Sequence, residues 1–305
     1  MAGVTSVWRS AVALLGWPGL LGGAALGWLY LWIRRKLVAR LQRRWGPPFY
    51  QPAFDFLKLL GKQTVVPAGV NRAHFYALPL AALAAAACAL ALIPIPANPV
   101  PTFNGDLVAL LYLLEVPALC EVLAGYVSRS PYGQVSSARE ALLSLGYNLP
   151  FLAALIALAV HAGSYRVSAM VAAPWSWVRL AATLAFLLAI PARLQSNPFS
   201  IPNAEQEILA GARTEYNGAP LALFELAHAL ELTALVGLSA VLIIPTGGSG
   251  LVHGLAFVAA SLLVVAAVSV LSAGTARLKL DQAVRFYWSW GMLAALAACL
   301  AAALG

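Results

Sequence analysis

Five ionisable side chains lie where such groups are expensive. Glu115 and Glu121 fall inside one long apolar run, and Glu225, His228 and Glu231 fall inside another. A charged group at the centre of a bilayer costs at least about 2.5–3.5 kcal/mol on insertion scales, so these residues face a bundle interior or water and often mark ion paths. The i, i+3 spacing makes Glu225 and His228, then His228 and Glu231, neighbours on one helix surface. Carboxylates and imidazole exchange protons once their surroundings bring their affinities toward neutrality. Proton transfer is the chemistry this pattern suggests. Two plainer readings stay open: Glu225 sits near the end of its run and is placed to be solvated, and Glu121 and Glu231 are placed to bond structurally to a neighbouring helix.

A second cluster occupies 193–217, RLQSNPFSIPNAEQEILAGARTEYN. Glu205, Glu207 and Glu215 form an acidic group there, beside Arg213 and Tyr216. Pro198 and Pro202 break the chain ahead of it. With Phe199, Ile201, Ile208 and Leu209 the segment is too apolar for a solvated linker, so it is expected to pack on the membrane face or on a partner. A third cluster ends in Arg139 and Glu140 at the mouth of the next apolar run, where Arg139 can neutralise a carboxylate. Segment 48–61, PFYQPAFDFLKLLG, reads as an amphipathic interfacial helix. Pro48 or Pro52 suits its first turn, Gly61 its end, and Phe56, Leu59 and Leu60 share a face. Asp55, Lys58 and the following Lys62 supply its charge.

The elements that must hold these residues follow from composition. Of 305 residues 62% are hydrophobic and 10% charged, against about 25% charged in soluble domains. With a mean hydropathy of +0.83, both a water-soluble domain and a disordered chain are excluded. The net charge of +8 lies mainly in short gaps between apolar runs, which points to membrane topology and away from nucleic acid. Cys88, Cys120 and Cys299 lie singly inside apolar runs and read as packing residues. His161 and His253 read as interfacial, and Trp28, Trp32, Trp175 and Trp177 as part of an aromatic belt. No Ser-His-Asp arrangement, phosphate loop or metal-ligand cluster is visible, so no residue is assigned a catalytic or metal-binding role.

A bilayer core about 30 Å thick takes roughly 20 helical residues. Runs at 11–33, 75–96, 107–127, 141–162, 175–195, 219–244, 251–273 and 284–304 meet that need. The fold class is therefore an all-α polytopic membrane protein, 1–305 forming a single integral membrane domain of about eight transmembrane helices plus the interfacial helix. The first run is followed by Arg34, Arg35 and Lys36, with no small-residue cleavage site, and reads as an anchor. With eight crossings, every Lys and Arg except Arg9, Arg166 and Arg179 falls on one side. The positive-inside bias puts 34–74, 128–140, 196–218 and 274–283 in the cytoplasm and both termini outside. A cysteine introduced at Gln63 or Gln206 is thus expected to resist labelling from the periplasmic side of intact cells, and efficient labelling there overturns the map.

In this order the clusters resemble one family, the quinone-module membrane subunit of complex I (the H subunit of NADH-quinone oxidoreductase, or subunit 1). Its relatives include the membrane subunits of formate hydrogenlyase, hydrogenase-4 and energy-converting [NiFe] hydrogenases. Three stretches carry the likeness: Trp45–Pro67 (WGPPFYQPAFDFLKLLGKQTVVP), Ser130–Pro150 (SPYGQVSSAREALLSLGYNLP) and Asn197–Gly218 (NPFSIPNAEQEILAGARTEYNG). In the third, Glu205, Glu207, Gly211, Glu215 and Tyr216 match the family's acidic loop, while Ser200 and Asn203 replace an Asp and a Glu. Asn148 stands where the family has a fourth-span glutamate, and His228 where it has one in the sixth. The short WGPP form and the Arg139–Glu140 pair lie closer to the hydrogenase branch. The resemblance implies a membrane-anchor and proton-coupling subunit of a hydrogenase-like complex in a prokaryotic inner membrane, the alternative being the quinone-site subunit of an NADH-quinone oxidoreductase. A stand-alone ion-coupled transporter is the rival class, against which no internal repeat is visible. The likeness further implies that this chain binds no cofactor itself. Iron–sulfur clusters, and NiFe in the hydrogenase case, would sit in peripheral large, small and ferredoxin-like subunits, antiporter-like membrane subunits would adjoin, and quinone would bind in the complex I case.

Overall fold

The computed structural model describes residues 12–100, 102–244 and 250–304, and every regular element among them is helical. Arg9 lies outside the described residues. In chain order the helices are α1 (Leu20–Leu41), α2 (Gln51–Leu60), α3 (Arg72–Leu92), α4 (Asp106–Val127), α5 (Pro131–Ala162), α6 (Val167–Ala172), α7 (Trp177–Arg193), α8 (Glu205–Ile208), α9 (Gly218–Ile243), α10 (Gly250–Gly274), α11 (Leu280–Phe286) and α12 (Met292–Leu304). Among the described residues, seven stretches are long and apolar enough to cross a membrane: Val12–Leu41, Arg72–Leu92, Asp106–Val127, Pro131–Ala162, Gly218–Ile243, Gly250–Gly274 and Leu280–Ala303.

The predicted span at 175–195 differs from the rest. It becomes α7, 17 residues, which rises only about 26 Å at 1.5 Å per residue. α7 starts beside the C-terminal end of α9, where the buried Arg179 donates to the carbonyls of Leu242 and Ile244, and to those of Val171 in α6 and Ala173 just after it. A cation there satisfies carbonyls that a helix end leaves orphaned. α7 stops partway down the bundle, and 194–217 completes the traverse to the N-terminal end of α9. The expected surface loop is thus an inner one. Phe199, Ile201, Ala204, Ile208, Ala212 and Tyr216 are all buried. The Ser196 amide and hydroxyl both return to the carbonyl of Pro191, which turns the chain back under α7.

Two boundaries also move. α1 continues past the apolar run through Arg34, Arg35, Lys36 and Arg40, and α5 begins at Pro131, ten residues before the expected span. Nothing breaks the helix at either membrane edge, and proline at a first turn starts one. Arg139 and Glu140 therefore project from a long helix instead of a loop. The expected interfacial helix forms as α2, with Pro52 in its first turn. Phe56 packs on Trp28, while Phe54 and Leu57 are exposed.

Apart from Glu225, His228 and Glu231, α9 is apolar on every face and mostly buried, and such a helix belongs in the middle of a bundle. It packs against α1, α3, α10 and α2, while α5 gathers α4, α7 and α12 on the other side. Small residues set the closest approaches. A Cβ on Gly125 of α4 would collide with Ser137 Oγ and lie 2.5 Å from the Gly133 carbonyl of α5, and one on Gly27 of α1 would collide with the Ala229 carbonyl of α9. Both contacts need the absent side chain.

Candidate functional site

Arg193, the last residue of α7, is buried at the level where α4, α5 and α9 converge. Its guanidinium bonds Glu115 of α4 and the Leu114 carbonyl, lies 3.3 Å from Asn148 Oδ1 of α5, and sits 3.7 Å from Glu231 of α9. Asn148 in turn donates to Glu115 at 2.8 Å. The rings of Phe151 and Tyr147 flank the cation at 4.6 and 5.7 Å. In a low-dielectric interior, this many contacts offset much of the desolvation of one guanidinium.

A second arginine rises from the 194–217 segment. Arg213 Nε lies 2.7 Å from Glu121 Oε1 of α4, an ion-pair contact without hydrogen-bond alignment, and its Nη1 donates to Glu225 of α9 at 3.0 Å. Burial works against the Arg213 charge, and the paired carboxylates Glu121 and Glu225 offset that desolvation. Gln195 joins the two centres. Its amide nitrogen donates to Glu121 at 3.2 Å and to Glu140 at 3.1 Å, and Glu140 accepts from the Tyr147 hydroxyl at 3.1 Å. Polar contacts therefore run from Glu225, through Arg213, Glu121, Gln195 and Glu140, to Tyr147, and the Tyr147 ring lies 5.7 Å from the Arg193 guanidinium that holds Glu115 and Glu231. Five carboxyl groups share two guanidinium ions along this line. Such a cluster reaches charge balance only when some of its carboxyls carry protons.

The structure brings Glu115, Glu121, Glu225 and Glu231 together, although not in the way their spacing suggests. His228 makes no hydrogen bond to Glu225 or Glu231 among the described residues; each glutamate turns to a different arginine instead. Near the bundle surface, Arg139 pairs with Glu207 at 2.7 Å. Tyr216 stacks face to face on Phe75 at 4.2 Å. Its buried hydroxyl has no hydrogen-bond partner among the described residues. Glu215 is half-buried, and its carbonyl accepts from Asn217 at 3.4 Å. The side chain of Glu205 lies outside the described residues. Away from the network, Asp55 pairs with Arg35 at 3.2 Å and accepts from Gln51, while Lys58 and Lys62 are exposed.

Sequence reasoning misses Arg193, Gln195 and Tyr147 as members of the site. By position in the chain Arg193 and Arg179 count with the loop charges, yet both are buried. The available signal is Arg193 at the end of an apolar run in a chain with several buried acids, since a buried cation needs a counter-charge. Among the described residues, no group of His, Cys, Asp and Glu is arranged to hold a metal ion.

A family model described as NADH dehydrogenase matches residues 19–303. The second NADH-quinone oxidoreductase H subunit of Syntrophobacter fumaroxidans is 30% identical over 279 residues, 85% of this chain and 84% of that one. The corresponding protein of Dehalococcoides mccartyi (strain CBDB1) is 28% identical over 275 residues, 86% and 77% of the two chains. Among solved structures, a chain of the membrane-bound sulfane sulfur reductase, an archaeal respiratory membrane complex, superposes with a TM-score of 0.86 at 28% identity, covering 98% of this chain and 99% of that one.

Proposed function

This chain belongs to the NADH dehydrogenase family, as a multi-pass membrane subunit of the complex I-related type, and on that premise we propose that it anchors a peripheral redox module and couples it to proton movement. The observation that carries the reading is the chain of polar contacts from Glu225 to Tyr147, which meets the Arg193–Glu115–Glu231 group where the Tyr147 ring lies 5.7 Å from the Arg193 guanidinium; Arg193, Gln195 and Arg213 lie in or border the segment where a peripheral module would bear. Arg213 bridges Glu121 and Glu225, so a shift of the segment that moves Arg213 changes which carboxyls hold protons. Gln195 and Tyr147 carry hydrogen bonds from Glu121 to Glu140, and the Tyr147 ring adjoins Arg193. Glu115 is partly exposed, and in this reading that opening is the cluster's outlet toward an adjoining membrane subunit of antiporter-like type.

In this reading the basic face is cytoplasmic, the membrane is the prokaryotic inner membrane and both termini lie outside, as the Lys and Arg distribution supports. Docking involves α2, with Asp55, Lys58 and Lys62, and the acidic segment around Glu207. Charge reversal at Glu205 and Glu207 is expected to release the peripheral subunits or uncouple their activity, with the neutral Glu207→Gln change milder. A fully assembled and coupled complex after the double reversal counts against this docking face.

The identity of the redox module has two supported readings. The WGPP element and the Arg139–Glu140 pair favour a hydrogenase-type module carrying iron–sulfur clusters and NiFe, whereas the curated relatives named above favour a quinone-reducing one. Purification in mild detergent separates them: a [NiFe] large subunit that co-purifies supports the first, and an NADH-oxidising module the second.

A further inference from the structure

At the basic end of the bundle a cavity of about 670 Å³ opens between α5, the 194–217 segment and the turn into α11. Arg139, Arg277, Lys279 and Glu207 supply its charge. Glu207 holds Arg139 at 2.7 Å and lies 3.9 Å from Arg277, whose Nε donates to Ser200 at 3.2 Å. Lys279 is exposed and makes no ion pair among the described residues. Three cations thus face a single carboxylate.

Depth and surroundings narrow the ligand. At the far end of α5, His161 bonds Ser176, which caps α7. Arg139 lies 22 helical positions earlier, about 33 Å along the axis. A hydrocarbon core is about 30 Å thick, so with His161 at one interface Arg139 stands at the other. Leu142 and Leu149 lie on the membrane side of Arg139 along one face of α5 and are exposed, as is Trp288 on the neighbouring turn. The cations therefore cap an outward-facing apolar strip. A phosphate bearing two acyl chains fits that combination, whereas a free phosphate leaves the strip unused.

We propose that this cavity binds the phosphate of an anionic phospholipid, with Arg277 and Lys279 as its main ligands, Arg139 shared with Glu207, and the acyl chains along the α5 strip. The site borders the proposed docking segment through Glu207, takes no member of the Glu225-to-Glu231 network, and does not depend on the identity of the redox module.

The test uses the intact complex in mild detergent, exposed to mixed micelles of phosphatidylglycerol or phosphatidylcholine, with retained lipid read by native mass spectrometry. Phosphatidylglycerol is expected to be retained over phosphatidylcholine, and excess inorganic phosphate to leave it bound. Arg277→Ala with Lys279→Ala is expected to weaken retention about thirtyfold, and Lys279→Ala alone about fivefold, in line with the strength of single surface cations toward anionic lipid. The charge-preserving pair Arg277→Lys and Lys279→Arg should retain it. Equal retention in the wild type and the Lys279→Ala variant overturns the site. Displacement by inorganic phosphate assigns a free anion and overturns the lipid. Retention that arises only after the peripheral subunits are stripped shows that protein covers the cavity, and also overturns it.

Discussion

Replacing Arg193 by Met is expected to destabilise the assembled subunit by about 3–5 kcal/mol, the usual cost of removing one partner from a buried ionic group. Arg193 is fully buried and holds Glu115, Glu231, Asn148 and the Leu114 carbonyl at once. Methionine fills part of the volume but leaves two carboxyls facing each other without a cation. Arg193→Lys keeps the charge and loses the planar fork, so an intermediate loss is expected. The strongest check is a compensated variant. Glu115→Gln and Glu231→Gln placed alongside Arg193→Met remove the uncompensated charges, and stability should largely return, because neighbours within one network are not additive. Thermal unfolding of the purified complex in detergent reads all four proteins. Wild-type stability in Arg193→Met, or no recovery in the triple variant, would remove Arg193 from the centre of the fold.

The second large effect concerns Glu231. Glu231→Gln preserves size and hydrogen-bonding capacity while abolishing titration. Redox turnover of the complex is expected to persist, while proton uptake into sealed vesicles falls by about a hundredfold, the lower end of what a positioned acid–base group contributes. Glu231 sits 3.7 Å from Arg193 at the inner end of the polar line, with no alternative carboxyl on α9 at that depth. Glu225→Gln is expected to give a smaller loss, since the Glu225 side chain is 42% exposed at the mouth, where water can substitute. Unchanged uptake in both variants leaves only a structural role for these acids. Loss of redox turnover together with uptake in Glu231→Gln points to failed assembly, which co-purification of the partner subunits distinguishes.

The sequence by itself determined the helical class, most of the spans, the amphipathic helix at Gln51–Leu60 and the acids Glu121 and Glu231 that lie buried inside apolar helices. These depend on local quantities: the transfer energy of about 20 consecutive side chains, the turn chemistry of proline, and the cost of an acid inside an apolar run. Even there the edges moved, because a helix such as Pro131–Ala162 needs no apolar residue to continue and stops only at a breaker such as Gly163. Tertiary structure alone decided which charges meet. Arg193 finds Glu115 from 78 residues away, and Gln195 finds Glu121 from 74. The i, i+3 spacing of Glu225, His228 and Glu231 made them neighbours on one helix, but adjacency on a helix does not fix where side chains turn. A buried carboxyl turns to whichever cation the packing presents, and here the bundle presented Arg193 from a short helix and Arg213 from a segment folded in beneath it.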